Sequence, residues 1–200
     1  MSDFPSAFPP AFAAAFEAAF DPPGKLVAAL DALGPVAERD VVVVDARGGP
    51  VIRGLEQRSA RLHDAPLSSP QRLDAPDASA DVVLGLWSAF RGVDPAETAE
   101  TDRVLRPGGR QLAVHDYGRD DVSRLFGDRP EYGTWSHRSG PFLSGGFRVR
   151  VVHCFLEFDR LEEVVDLLAR AFGEAGATLA ATLRRPRLSY NVAVYHRARS

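Results

Sequence analysis

The chain has little of what ties a secreted or membrane protein together. Cys154 is its one cysteine, so no intramolecular disulfide can form, and a reducing compartment suits it. No apolar run approaches the length of a membrane span. The start, MSDFPSAFPPAF, lacks the basic stretch of a signal peptide and carries Asp3. Charge of one sign is not in excess either: a formal net charge of −3 gives no reason to expect a nucleic acid or an acidic membrane as partner. Lysine is nearly absent, Lys25 standing against 23 arginines, which reads as GC-rich bacterial coding and carries no physical argument. Metal-ligand spacing is missing as well. His153 and Cys154 are neighbours on an expected strand and face opposite ways, and His63 and His196 have no partner, so no metal site is expected. The expectation is one soluble, cytoplasmic domain whose 200 residues can bury a sizeable core.

What is present is organised around VVVVDARGGP, residues 41–50. Four consecutive valines with no polar alternation suit a strand covered on both faces, central in a parallel sheet. Asp45 then falls at the carboxyl end of that strand, the edge where open α/β sheets bind ligands. Before it, Phe12, Phe16 and Phe20 form an apolar stripe on a helix expected from near Pro10. That stripe suits packing on the core or on a second subunit, or an aromatic lid. A second helix is expected over residues 25–33, stopped by Gly34. Residues 51–60 suggest a helix and SARLHD a short strand, and residues 65–80 read as loop.

The best-punctuated part follows. Val82 to Leu86 is a second buried strand, ending at Trp87 and Ser88. Asp94 caps the next helix, with Pro95 at its first position and Glu97 two further on. RPGG stops it, and residues 111–114 make a third strand with His115, Asp116 and Tyr117 at its carboxyl end. Asp120 opens a short helix. Residues 127–146 read as a loop with a broken helix, and residues 147–158 as a long strand. Asp159 and Glu162 suggest a capping-box start to a further helix, with a second helical piece over 177–183. Residues 188–196 close the chain as a strand, and Arg184, Arg185 and Arg187 before it suit a solvated loop.

The stretch ADVVLGLWSAFRGVDPAETAETDRVLRPGGRQLAVHDYG, residues 80–118, resembles the fourth strand, following helix, R-V-L-R-P-G-G-R turn and fifth strand of the class I S-adenosylmethionine-dependent methyltransferases. A weaker match runs over residues 25–158. The resemblance implies an α/β fold: a three-layer, Rossmann-like domain with a mostly parallel seven-stranded sheet and an antiparallel last strand. Residues 1–34 would be an N-terminal helical segment, 41–118 the cofactor-type half, and 147–196 the C-terminal strands with an inserted helix. Only 36 residues, 46–81, separate the first two strong strands, room for about one strand–helix pair, so the sheet is expected to be reduced there.

The resemblance also implies S-adenosylmethionine as cofactor and a small molecule as methyl acceptor. Asp45, Gly48 and Gly49 would line the methionine end of the cofactor. Asp64 would face its adenosine, as the acid of the second strand or of the third. Trp87 and Ser88 would touch adenine or the acceptor, although Trp87 suits a core or rim aromatic equally well. His115, Asp116 and Tyr117 stand where a base would act, or where a histidine stabilises a turn and a tyrosine packs on a helix. Trp135, His137 and Arg138 suit an acceptor pocket or loop packing. The pattern departs from the family at the turn: Arg47 and Val51 replace two of its three glycines, and those side chains add bulk where the cofactor would lie. Two functions remain open, a small-molecule methyltransferase and an inactive relative serving binding, regulation or assembly; the Phe stripe also makes a homodimer plausible. If the two bulky residues block the turn, an Arg47→Gly, Val51→Gly variant binds S-adenosylmethionine more tightly than the parent in calorimetric titration. An unchanged affinity would place the block in the short 46–81 segment or elsewhere.

Overall fold

The four valines fill two cores at once. In the computed structural model, which describes residues 8–44, 48–58, 60–69, 71–127 and 129–199, strand β1 (Asp40–Val44) lies inside the main sheet. Val41 and Val43 enter one apolar cluster, and Val42 and Val44 enter another on the opposite face. This is why the strand shows no polar alternation: side chains project to opposite faces, and here neither face is wet.

The elements follow the chain as α1 (Ala13–Ala19), α2 (Lys25–Leu33), β1, α3 (Pro50–Glu56), β2 (Arg61–Ala65), β3 (Leu67–Ser69), β4 (Arg72–Leu73), β5 (Ala80–Leu86) and α4 (Pro95–Val104). After these come β6 (Leu105–Asp116), α5 (Asp121–Leu125), α6 (Pro130–Thr134), α7 (Pro141–Ser144), β7 (Arg148–Glu157), α8 (Leu161–Ala180) and β8 (Arg187–Ala198). The sheet runs β2-β1-β5-β6-β8-β7, parallel from β2 to β6, with β8 antiparallel to both its neighbours. Parallel strands need crossovers, and α3 and α4 supply two of them.

The sheet holds six strands among the described residues, where the resemblance implies seven. The 46–81 interval contributes α3, β2 and a small hairpin, β3–β4, in place of the loop expected over 65–80. Five strand residues with no alternation left no sequence signal. The hairpin is held from outside itself: Leu73 is buried, and its N–H donates to Glu100 Oε1 at 2.8 Å.

The Phe stripe lies inside the chain. Phe16 and Phe20 are buried and Phe12 is half-buried, and Phe16 meets Phe172 of α8 at 5.8 Å between ring centroids. Phe8 lies edge-on to Phe126 at 5.1 Å, so the stripe closes over α5 and α8 and is not a free surface. At α8 the expected capping box does not form. The cap position is Arg160 and makes no side-chain cap bond, because Asp159 falls one residue too early. The helix breaks at Gly173, with φ of +57°, and its second piece folds back on the first. Gly176 permits this: a Cβ there would lie 1.9 Å from the Leu168 carbonyl oxygen.

The amino edge of the sheet is held by charge. Asp40 accepts from Arg61 at 2.8 Å and from Arg106 at 2.8 Å, and Arg106 also reaches Asp81 at 3.0 Å. The bonds from Arg61, then Arg106 and His63, hold the Asp40 carboxyl well below the usual carboxylate range. The RPGG turn thus anchors β1 and β5 through Arg106. Among the described residues no helix is long and apolar enough to cross a membrane. The aromatic packing makes a direct prediction: Phe16→Ala should lower the free energy of unfolding by about 3–5 kcal/mol in denaturant melts. A loss under about 1 kcal/mol would mean α1 contributes little to the core.

Candidate functional site

At the opposite, carboxyl edge, β5 and β6 end side by side. Alternation along β6 sends Ala113, His115 and Tyr117 to one face and Val114 and Asp116 to the other. Asp116 reaches under the end of β5. Its Oδ1 accepts from Trp87 Nε1 at 2.8 Å and from the Tyr190 hydroxyl of β8 at 2.5 Å. Trp87 and Tyr190 stack, with centroids 6.5 Å apart, and Trp87 sits at φ of +48°, a conformation a bulky residue rarely adopts. Three strands are thereby tied at one carboxylate. Its second oxygen, Oδ2, has no hydrogen-bond partner among the described residues.

A cavity of about 300 Å³ opens here, lined by Trp87, Ser88, His115 and Asp116 together with α6 and the segment after β5. Arg91 comes from that segment, and Arg129, Tyr132 and Trp135 from around α6. The Arg91 guanidinium stacks over the Trp135 ring at 4.1 Å from its centroid, and Trp135 in turn meets His115 at 4.8 Å. The segment carrying Arg91 is held by buried polar groups. Glu97 Oε2 accepts from the N–H groups of Arg91, Gly92 and Val93, at 3.3, 2.8 and 3.3 Å. Gln111 Nε2 donates to the Arg91 carbonyl at 3.1 Å and is oriented by Arg197, whose Nε donates to Gln111 Oε1 at 2.7 Å. Gly92, at φ of +69°, makes room for that amide, since a Cβ would lie 1.7 Å from Gln111 Nε2. Glu97, the third residue of α4, serves this segment, while Asp94 alone caps α4.

Burial sets the protonation states. It holds the His115 imidazole neutral, with a pKa of about 3, and the nearby Arg91 charge adds to the effect. Such a ring can donate or accept a hydrogen bond but takes up a proton poorly at neutral pH. Burial also raises Asp116, against the bonds from Tyr190 and Trp87 that lower it. Tyr132 is pushed up to about 12, by burial first and Asp116 second.

Of the residues singled out from sequence, this cavity gathers Trp87, Ser88, His115, Asp116 and Trp135. Tyr117 does not line it and packs with Phe142, Phe147 and Tyr195. His137 and Arg138 are exposed and outside it. Asp64 is exposed on β2, opposite Val43. Asp45 and Arg47 lie outside the described residues. Gly48 and Gly49, at φ of +77° and +110°, form the turn into α3. The helix then starts at Pro50 and Val51, which line a separate cavity of about 340 Å³ between α2 and α3. Phe20 lines that second cavity and meets Trp87 of the first at 6.2 Å, so these two rings stand between them. Val51 is 1% exposed with its side chain in the core, so Val51→Gly would open a void and the informative turn variant is Arg47→Gly alone. Sequence reasoning passed over Arg91, Arg129, Tyr132 and Tyr190. An Arg–Gly pair between a strand end at the binding edge and a capped helix was the available signal for Arg91; Tyr190 gave none.

No protein-family model matches the chain, and no curated protein matches it. Solved structures do. A protein assigned as a type II methyltransferase from Anaeromyxobacter dehalogenans is 19% identical, with a TM-score of 0.51 over 86% of this chain and 95% of that one. A SAM-dependent methyltransferase from Aquifex aeolicus is 16% identical, with a TM-score of 0.46 over 88% and 93%. A protein assigned as a methyltransferase from Bacillus halodurans is 13% identical, with a TM-score of 0.46 over 86% and 98%. At these identities the likeness is one of fold. The mostly parallel sheet with antiparallel final strands is the Rossmann-like methyltransferase fold, as the RVLRPGGR stretch implied.

The carboxylate knot can be probed directly. Tyr190→Phe removes a donor that favours the ionised form of Asp116, so the Asp116 pKa should move further up, read from its carboxyl carbon shift in an NMR titration. A pKa unchanged or lower in the variant would show that the hydroxyl does not hold this carboxylate.

Proposed function

We propose that the protein is a methyltransferase that uses S-adenosylmethionine on a small molecule, with the cavity beside Asp116 as its acceptor site. The observation that carries the reading is the convergence of Trp87, Ser88, His115 and Asp116 on one cavity at the ligand-binding edge of this fold. The residues fit the cofactor at two places. Gly48 and Gly49 keep the backbone conformations that leave a turn open to a close ligand, and no atom of the described residues lies within 4 Å of where a Gly48 Cβ would stand. Trp87 and Ser88 supply an aromatic face and a hydroxyl at the end of β5.

In this reading Gly48 and Gly49, with Asp45, hold the methionine end, and Trp87 and Ser88 lie between cofactor and acceptor. When bound, the cofactor supplies an electrophilic methyl group. Asp116 Oδ2 receives the acceptor's proton, and burial makes this carboxylate a stronger base than an ordinary one. His115, held neutral, orients the acceptor by a hydrogen bond. Trp135 and Tyr132 wall it in, and catalysis comes mainly from positioning.

A second reading, an inactive relative that binds or assembles, draws on two observations. Phe20 and Trp87 stand between the cavity at α3 and the cavity at Asp116, and Asp64 lines neither. Calorimetric titration with S-adenosylmethionine and S-adenosylhomocysteine separates the two. Micromolar binding, roughly −8 kcal/mol, is the expected result. No heat from either ligand, with no shift in melting temperature, would overturn the methyltransferase reading in favour of the second.

A further inference from the structure

The cavity beside Asp116 holds a cation that the methyl-transfer reading does not use. Four charged side chains line it: Arg91, Arg129, Asp116 and Glu131. Glu131 is exposed. The charge of Arg129 opposes in small part the effect of burial on Asp116, without an ion pair between them. Arg91 is the more constrained of the two cations. Its Nε is buried with no hydrogen-bond partner, and no carboxylate pairs with its guanidinium among the described residues. An unsatisfied buried donor on a charged group is costly, and native proteins rarely leave one without a reason. The group is also not free to swing away. Trp135 stacks on its plane, and Glu97 and Gln111 fix its backbone on both sides. A fixed guanidinium lining a cavity suits a planar, two-oxygen anion. Around it the walls are flat and aromatic: Trp135, Trp87 and Tyr132.

We infer that this cavity takes a small aromatic carboxylate, its carboxylate on the Arg91 guanidinium and its ring between the aromatic walls. The inference deepens the reading of the cavity as an acceptor site and so rests on that reading, yet its test needs neither cofactor nor turnover. A carboxylate there would give the Arg91 guanidinium the anionic partner that it lacks among the described residues. The cavity's volume of about 300 Å³ matches a ligand of one or two rings, at the small end of ligand sites.

The two tryptophans of the chain, Trp87 and Trp135, both line the cavity, so intrinsic fluorescence reports on it selectively. The full chain is titrated with benzoate, with uncharged benzamide of the same shape, and with inorganic phosphate. Benzoate should change the emission saturably, with benzamide and phosphate at least about 10-fold weaker, the scale of one charge-assisted hydrogen bond. Arg91→Gln should weaken benzoate by a similar factor while leaving benzamide unchanged. Arg91→Lys, which keeps the charge and loses the planar fork, should fall between. Benzamide binding as tightly as benzoate would overturn the inference, as would phosphate doing so, or no benzoate response up to about 10 mM. If Arg91→Gln does not fold, the three-ligand comparison on the parent chain still decides. Benzoate binding without any S-adenosylmethionine binding would sustain this site and defeat the methyltransferase reading. The reverse pattern would sustain that reading and defeat this one.

Discussion

The Asp116 carboxylate is the constraint on which the binding edge depends. It is the last residue of β6, it draws Trp87 from the end of β5, and it takes the Tyr190 hydroxyl from β8. A carboxylate in such surroundings is expensive unless it is hydrogen-bonded, and the two donors offset part of that cost. The bond from Trp87 also offsets the strain of its left-handed backbone, which turns the chain away from the sheet toward Ser88 and Arg91. Remove the carboxylate and two aromatic donors lose their acceptor while the β5 exit loses its fixed direction. The same group that shapes the edge also lines the cavity.

Around that point the molecule divides its polar interactions by place. The amino edge is tied by an exposed network, Asp40 and Asp81 with Arg61 and Arg106, where water screens the charges and each pair contributes little. The carboxyl edge uses buried groups, Glu97, Gln111 and Arg197, in a connected network that fixes one loop. Low dielectric makes such a network strong when every member is satisfied. The orphan within reach of it, Arg91 Nε, stands out for that reason. A site on a rigid frame can hold a ligand in one orientation, which positional catalysis requires.

The N-terminal aromatics carry the other half of the design. Phe8 and Phe16 close the core over α5 and α8, and Phe20 continues to Trp87 and Tyr190. The helical segment that precedes the first strand therefore reaches the binding edge. Phe20 contacts the residues that grip Asp116 and also lines the cavity beside α3.

Local pattern by itself determined most of the elements and their order. The valine run, the Asp94-Pro95 helix start, RPGG and the position of Asp116 after a buried strand were all readable, because periodicity, caps and turns are properties of a few neighbouring residues. From these, and from the resemblance to class I methyltransferases that they carry, came the α/β fold and five residues of the cavity: Trp87, Ser88, His115, Asp116 and Trp135. What the sequence could not hold is which distant groups meet. Tyr190 lies 74 residues from the Asp116 it bonds, and Arg197 lies 86 residues from the Gln111 it orients. The hairpin at β3–β4 depends on Glu100, and the direction of Val51 on the packing of α3 against the core. Contacts of that separation are set by how strands pair and helices pack over the whole chain. Only the tertiary structure decided that the start of α3 and the Asp116 edge line two cavities with Phe20 and Trp87 between them.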